Sequence, residues 1–99
     1  NFDEQVWNLA ARNIVYVGNM EKFSQNPYHQ DYLLNTLDDV LVEASPTDKI
    51  WGVGLAEDDP AIHDPNNWQG TNWLGEVLMR VRDDIRTGIV SDPEKIEWK

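Results

Sequence analysis

Residues 45–70 constrain the fold more than any other part of this sequence, because they interrupt the helical patterns on either side. Ordered segments of this length without regular structure are uncommon in compact domains and usually carry function. The sequence therefore predicts a long structured loop between helical parts of the chain. Its breakers and turn formers are Pro46, Gly52, Gly54, Asp58, Asp59, Pro60, Asp64, Pro65, Asn66, Asn67 and Gly70.

Apolar residues at helical spacing predict three helices outside this loop. The first helix is expected from Asp3 to about Gln25, and the second from Pro27, a residue suited to a first helical turn, to about Thr36. Asn72 is expected to cap a third helix that Gly88 ends. The apolar stripe of this third helix consists of Leu74, Val77, Leu78, Val81 and Ile85.

One short strand is also expected, at Val40-Leu41-Val42, because this β-branched and apolar run ends at Ser45-Pro46. The mixed C-terminal residues 89–99 either add a strand or dock as a tail. These elements together predict an α+β fold, a mainly helical single domain with a small sheet.

Composition excludes several classes of function. The net charge of −10 leaves no basic surface for a run of phosphates, so extended nucleic-acid binding is not expected. The longest apolar runs are only a few residues, and the first residues have no signal-like pattern, so we expect no membrane span and a cytoplasmic protein. The absence of cysteine excludes zinc-thiolate sites and a cysteine nucleophile.

Three segments concentrate chemically useful residues: Trp7, the stretch 42–52 with Asp48, and the stretch 68–72. A carboxylate, an indole face and a helix N-terminus suit the handling of a sugar attached to a flat ring. Ordinary structural roles remain open for each residue. Trp7 can be a core residue, Asp48 a turn residue, and Glu43 either exposed or buried and paired, while Gly52 and Gly54 can mark special backbone angles.

The charged residues outside these segments have simpler explanations. His63 with the neighbouring Asp58, Asp59 and Asp64 is typical of a solvated loop, and no metal site is expected, since no ligand spacing of a known type occurs. Arg80, Arg82 and Arg86 are expected to pair with Glu76, Asp83 and Asp84 on the third helix, although one of them could instead reach a phosphate.

The motifs along residues 7 to about 86 resemble those of the NADAR, or YbiA-like, N-glycosidases. The resemblance rests on Trp7, Lys22-Phe23, Leu33-Leu34-Asn35-Thr36, LVEASPTDKIWGVGL at 41–55, DDP at 58–60, W-x-G-x-N-x-L-G at 68–75 and LMRVR at 78–82. It implies a mainly helical fold with little strand and cleavage of an N-glycosidic bond without a cofactor. It also implies Asp48 as the catalytic carboxylate, Trp7 in the active-site wall, and Glu43, Trp51, Gly52, Gly54 and Asn72 as residues that line or brace the site.

One part of the family pattern has no counterpart in residues 1–99: an aromatic-rich Ser-Asn-Phe segment followed by a helix with a Glu-His pair, whose glutamate the family counts as catalytic. The resemblance therefore implies one NADAR-like domain that lacks this N-terminal segment. Two hypotheses follow. The chain hydrolyses a riboflavin-pathway pyrimidine ribosyl phosphate or ADP-ribosylated guanine, or it is a non-catalytic truncated homologue that associates with itself or a partner. In either case a homo-oligomer is expected to cover the face left by the absent segment.

Overall fold

The structure of the chain, a computed structural model, describes residues 3–98. Its regular elements are the helices α1 (Glu4–Gln25), α2 (Pro27–Leu34) and α3 (Trp73–Thr87), with 3₁₀ turns at Pro60–His63, Pro65–Asn67 and Pro93–Lys95. The three predicted helices are confirmed. None of the helices in the described residues is long and apolar enough for a bilayer crossing.

The chain divides into two compact units. The terminal unit comprises the described residues of Asn1–Asp39 and Val77–Lys99, and the central unit comprises Val40–Glu76. In the terminal unit, the buried apolar side chains come from all three helices and from the C-terminal segment: Tyr16, Met20, Phe23, Leu33, Val77, Val81 and Ile96. In the central unit, Val53 and Leu55 are buried.

The expected strand and small sheet are wrong, since residues 3–98 contain no strand. The Asn72 side chain supplies the hydrogen bonds that a neighbouring strand would have given: its Nδ2 donates to the carbonyl of Leu41 and its Oδ1 accepts the N–H of Glu43, both at 2.9 Å. An amide side chain offers one donor and one acceptor, as a peptide group does. The backbone on both sides of Val42 is therefore satisfied without a sheet, and the described part of the chain is helical with irregular loops.

The C-terminal segment docks on the terminal unit instead of adding a strand. The indole of Trp98 donates to Asn13 Oδ1 at 2.8 Å and meets the Tyr16 ring edge to face, with the ring centroids 6.1 Å apart. The Tyr16 hydroxyl donates to Asp84 Oδ2 at 2.5 Å, and the Ser91 hydroxyl donates to the same oxygen at 2.8 Å. Burial, and then the hydrogen bond to Asp84, raises the pKa of Tyr16.

The arginines of α3 do not all pair along the helix. Arg80 contacts Asp84 at 3.3 Å and Arg86 contacts Asp83 at 2.7 Å, as predicted. Arg82 differs, because its buried guanidinium donates to Thr36 Oγ1 at 3.0 Å and to the carbonyl of Asp39 at 2.8 Å. The turn after α2 is thus held by a cation from α3.

Candidate functional site

Asp48 organises the turn that follows Ser45-Pro46. Its Oδ1 accepts the backbone N–H groups of Ile50 at 3.0 Å and Trp51 at 2.8 Å. Its own N–H donates to the hydroxyl of Ser45 at 3.1 Å. Aspartate side chains commonly close turns in this way. The structure therefore shows the local backbone contacts of a turn residue, and a catalytic role for Asp48 stays a prediction.

These contacts fix the charge of Asp48. The N–H of Trp51, followed by those of Ile50 and Gly52, lowers the pKa of the Asp48 carboxyl below its ordinary value, although desolvation opposes the shift. The carboxylate is consequently ionised at neutral pH. It can stabilise a nearby positive charge, and it is a poor proton donor.

Glu43 combines a fixed backbone with a free side chain. Its N–H donates to Asn72 Oδ1, and its carbonyl accepts from Val53 at 3.0 Å and from Ser45 at 3.1 Å. The residue is exposed, and its carboxylate makes no hydrogen bond or ion pair with the described part of the chain. A carboxylate whose backbone is held at three points and whose oxygens are free is available to a ligand.

Asn72 is buried and braces this arrangement. It directly precedes α3, as expected of the residue that caps this helix, and its carbonyl accepts the N–H of Glu76 at 3.0 Å. Its side chain turns to Leu41 and Glu43, and its backbone lies in the left-handed region at a φ of 53°. Asparagine is among the non-glycine residues that tolerate this region best. Since both the donor and the acceptor of the amide are in use, Asn72 positions Glu43. Direct contact of Asn72 with substrate stays a prediction.

Gly52 and Gly54 serve the backbone of the same motif. A Cβ on Gly52 would lie 2.9 Å from the carbonyl oxygens of both Asp48 and Glu43. Gly54 has a φ of 72°, which favours glycine. Gly54 therefore has the special backbone angle that the sequence suggested for both glycines, whereas Gly52 is needed for the close approach of two carbonyl groups.

The two tryptophans of the prediction lie in different units. Trp51, in the central unit, is half-buried and meets Trp73 edge to face at a centroid distance of 5.6 Å. Trp7, on α1 in the terminal unit, is 55% exposed, so it is not a core residue. The central unit therefore holds Glu43, Asp48, Trp51, Gly52, Gly54 and Asn72.

An open cavity of about 510 Å³ lies beside the motif within the central unit. This volume is in the range of small-molecule sites, roughly 300–1,000 Å³. Asp48 is not among the lining residues, so of the predicted site residues this cavity contains only Glu43. The lining is formed by Val42, Glu43, Ala44, Glu57, Ile62 and His63.

Glu57 and His63 are the site residues that the sequence analysis missed. His63 was considered only as a metal ligand together with Asp58, Asp59 and Asp64. The described residues hold no group of three or more His, Cys, Asp or Glu side chains suited to a metal ion. Two of the aspartates cap 3₁₀ turns instead, since Asp59 accepts from the N–H of Ala61 and Asp64 from that of Asn66. A histidine in an otherwise acidic loop was the signal available in the sequence.

Comparison with known proteins identifies relatives for most of the chain. The profile of the NADAR domain matches residues 1–86. The protein irg-1 of Caenorhabditis elegans is 47% identical over 83 residues, which are 84% of this chain and 39% of that protein. An N-glycosidase of Acanthamoeba polyphaga mimivirus is 45% identical over 84 residues, which are 85% of this chain and 49% of that protein.

A third relative belongs to a much longer protein. The chloroplastic riboflavin biosynthesis protein PYRR of Zea mays is 35% identical over 79 residues, which are 80% of this chain and 11% of that protein. The matched part of the chain thus spans less than half the length of these relatives. No solved structure matches the chain.

Proposed function

This chain belongs to the NADAR domain family, and we propose that it hydrolyses the N-glycosidic bond of a ribosylated base. The observation that carries the proposal is the free carboxylate of Glu43 at a cavity of ligand size, on a backbone held by Asn72, Val53 and Ser45. Relatives named N-glycosidases support it.

Cleavage of such a bond leaves positive charge on the ribose ring, as in an oxocarbenium-like transition state. A carboxylate that stays ionised stabilises this charge, which is the role we assign to Asp48. Glu43 takes a proton from the water that attacks the sugar. The indole of Trp51 supplies a flat apolar face on which a base or ribose ring can stack. A place for Trp7 in the active-site wall stays an implication of the family resemblance.

The remaining predicted residues act through the backbone. Gly52 and Gly54 permit the turns, and Asn72 holds Glu43, so they position the site.

Two substrates fit the proposal: a riboflavin-pathway pyrimidine ribosyl phosphate, which agrees with the name of the maize relative, and ADP-ribosylated guanine, which the family resemblance implies. No cofactor is needed, because a stabilised ribosyl cation and water suffice.

Release of free base from each substrate, followed by chromatography, tests the proposal. Asp48→Asn is the sharpest variant, because the amide oxygen can still accept from Ile50 and Trp51 while the charge is gone. Asp58→Asn is the matched control, since Asp58 is exposed and does not line the cavity. We expect Asp48→Asn and Glu43→Gln to abolish release and Asp58→Asn to retain it.

Two outcomes contradict parts of this proposal. No free base from the unmodified chain with either substrate rejects hydrolysis of these compounds. Normal release by Asp48→Asn, with release abolished by Glu43→Gln, moves the catalytic role from Asp48 to the carboxylate at the cavity. The cytoplasmic location remains a prediction from the sequence.

A second candidate function is self-association, which the outer face of α1 favours. Five apolar residues on this helix are 43–66% exposed: Val6, Trp7, Leu9, Ile14 and Val17. Apolar surface of this kind commonly marks an interaction site. Light scattering after size exclusion is expected to give a dimer that Ile14→Glu converts to a monomer. A monomer at every concentration of the unmodified chain contradicts self-association.

A further inference from the structure

We propose that His63 donates the proton that the departing base acquires when the N-glycosidic bond breaks. This inference rests on the proposed hydrolysis and adds a proton donor that lies outside the motifs of residues 41–55 and 68–75. It starts from the cavity, which His63 and Glu43 line together in the central unit.

The backbone at His63 is held by a network of local contacts. The turn Pro60–His63 begins at Asp59, whose carboxylate accepts the N–H of Ala61 at 2.9 Å. At its other end, the indole of Trp68 donates to the carbonyl of Ile62 at 2.8 Å. The residue that presents the imidazole is therefore fixed on both sides, which a proton donor requires if it is to meet one atom of a bound substrate.

The free side chains of the loop distinguish His63 from its neighbours. Asp59 and Asp64 are occupied as caps of the 3₁₀ turns. By contrast, neither the imidazole of His63 nor the carboxylate of Glu57 forms a hydrogen bond or ion pair within residues 3–98. The three titratable side chains that line the cavity, Glu43, Glu57 and His63, are thus free of structural hydrogen bonds within residues 3–98.

The composition of the cavity assigns it to the base end of the substrate. Two carboxylates, Glu43 and Glu57, repel phosphate oxygens and accept N–H groups. The side chains of Val42 and Ile62 add apolar surface against a flat ring. A base held here would have its ring atoms next to His63, whereas a phosphate would be disfavoured.

The proposed step balances with water alone. The bond between ribose C1′ and the base nitrogen breaks, and its electron pair stays with the base. The imidazolium of His63 gives its proton to the base, which leaves as a neutral molecule. Water adds its oxygen to C1′ and passes its proton to Glu43, from which solvent returns it to the imidazole. Histidine suits this exchange, because its side chain gives and takes protons near neutrality.

The test uses two substrates that differ in their leaving group. Each substrate is given to three proteins: the unmodified chain, His63→Gln and His29→Gln. His29 is also exposed, but it lies on α2 and does not line the cavity, so it is the matched control. The first substrate is whichever of the pyrimidine ribosyl phosphate and ADP-ribosylated guanine the unmodified chain cleaves. The second is 4-nitrophenyl riboside 5-phosphate, whose phenolate leaves without a proton. We expect His63→Gln to lower kcat about 100-fold or more on the first substrate only, with His29→Gln unchanged on both.

Two other results for His63→Gln overturn the inference. If His63→Gln lowers kcat equally on both substrates, His63 only shapes the cavity. If kcat is unchanged on both, His63 takes no part in the reaction. Both results overturn the inference and leave the proposed hydrolysis intact. Absence of turnover of the ribosylated base by the unmodified chain overturns the proposed function, and the proton donor with it.

Discussion

The Oδ1 atom of Asn72 accepts the backbone N–H of Glu43 at 2.9 Å, across 29 positions of sequence. The same amide donates to the carbonyl of Leu41. One side chain therefore satisfies the backbone on both sides of Val42 and fixes the residue that presents the cavity carboxylate. Loss of this amide is expected to affect folding and the site together.

Replacement of Asn72 by alanine is expected to lower the free energy of unfolding by about 2–4 kcal/mol, because two part-buried hydrogen bonds are lost. Urea unfolding of Asn72→Ala measures this loss, with Asn66→Ala, an exposed residue, as the control that should match the unmodified chain. Asn72→Gly separates the two possible causes, since glycine relieves the positive φ but restores neither hydrogen bond. If Asn72→Gly is as stable as the unmodified chain, the backbone angle and not the amide is what matters.

The stability contributed by Asp48 is expected to depend on pH. Because hydrogen bonds to Trp51 and Ile50 lower the pKa of Asp48 in the folded chain, the carboxylate stabilises the fold above its ordinary pKa of about 4. This contribution is lost as the pH falls through the lower, folded-state pKa. The Tm of Asp48→Asn should therefore lie below that of the unmodified chain at pH 7, and the gap should close in acid.

The control for this pH series is Asp58→Asn, which should follow the unmodified chain throughout. A gap of constant size from neutral to strongly acidic pH would show that the Asp48 charge makes no contribution to folding.

The helices were predictable because their signals are local. The helix α3 is defined by the period of its own apolar residues. The first two helices are each capped by the residue directly before them, Asp3 and Asn26. The strand at 40–42 was wrong because its outcome depends on a distant residue. A β-branched run forms a strand only where a partner strand exists, and here Asn72 takes that place.

In the candidate site, too, the features set by neighbouring residues were predictable and those set by distant residues were not. The turn at Asp48 and the need for glycine at position 52 follow from short-range sequence, and the structure gives both residues such contacts. Glu57 and His63 could not be assigned, since a cavity forms only when the loop folds back toward residues 42–44. No spacing between positions 43 and 63 encodes that approach.

The hydroxyl of Tyr16 is expected to stabilise the terminal unit through Asp84. Tyr16→Phe should lower the free energy of unfolding by about 1–2 kcal/mol, because the buried carboxylate loses a hydrogen-bond donor. Tyr28→Phe makes the same substitution at an exposed tyrosine and should have no effect. Chemical unfolding of the three proteins at neutral pH measures both values.

Alkaline pH should erase the difference between Tyr16→Phe and the unmodified chain. Burial and Asp84 raise the pKa of Tyr16 in the folded chain, so the bound proton stabilises the fold below about pH 10, the ordinary tyrosine value. This stabilisation is lost as the pH rises through the folded-state pKa. A difference that grows with alkaline pH would contradict the hydrogen bond from Tyr16 to Asp84.

Two glycines are expected to respond in opposite directions to the same substitution. A Cβ on Gly70 would lie 2.8 Å from both Cα and the carbonyl oxygen of Lys49, and closer still to the carbonyl oxygen of Gly52. Gly70→Ala must therefore push apart the segments that carry Lys49 and Gly52, and we expect a loss of about 1–3 kcal/mol in the free energy of unfolding. Gly18 lies within α1 with nothing within 4 Å of its added Cβ, so Gly18→Ala should raise stability by about 0.5–1 kcal/mol. Urea unfolding of the two variants measures the change in the free energy of unfolding for each. A stabilising Gly70→Ala would mean that the backbones of residues 49, 52 and 70 do not approach as closely as the structure has them.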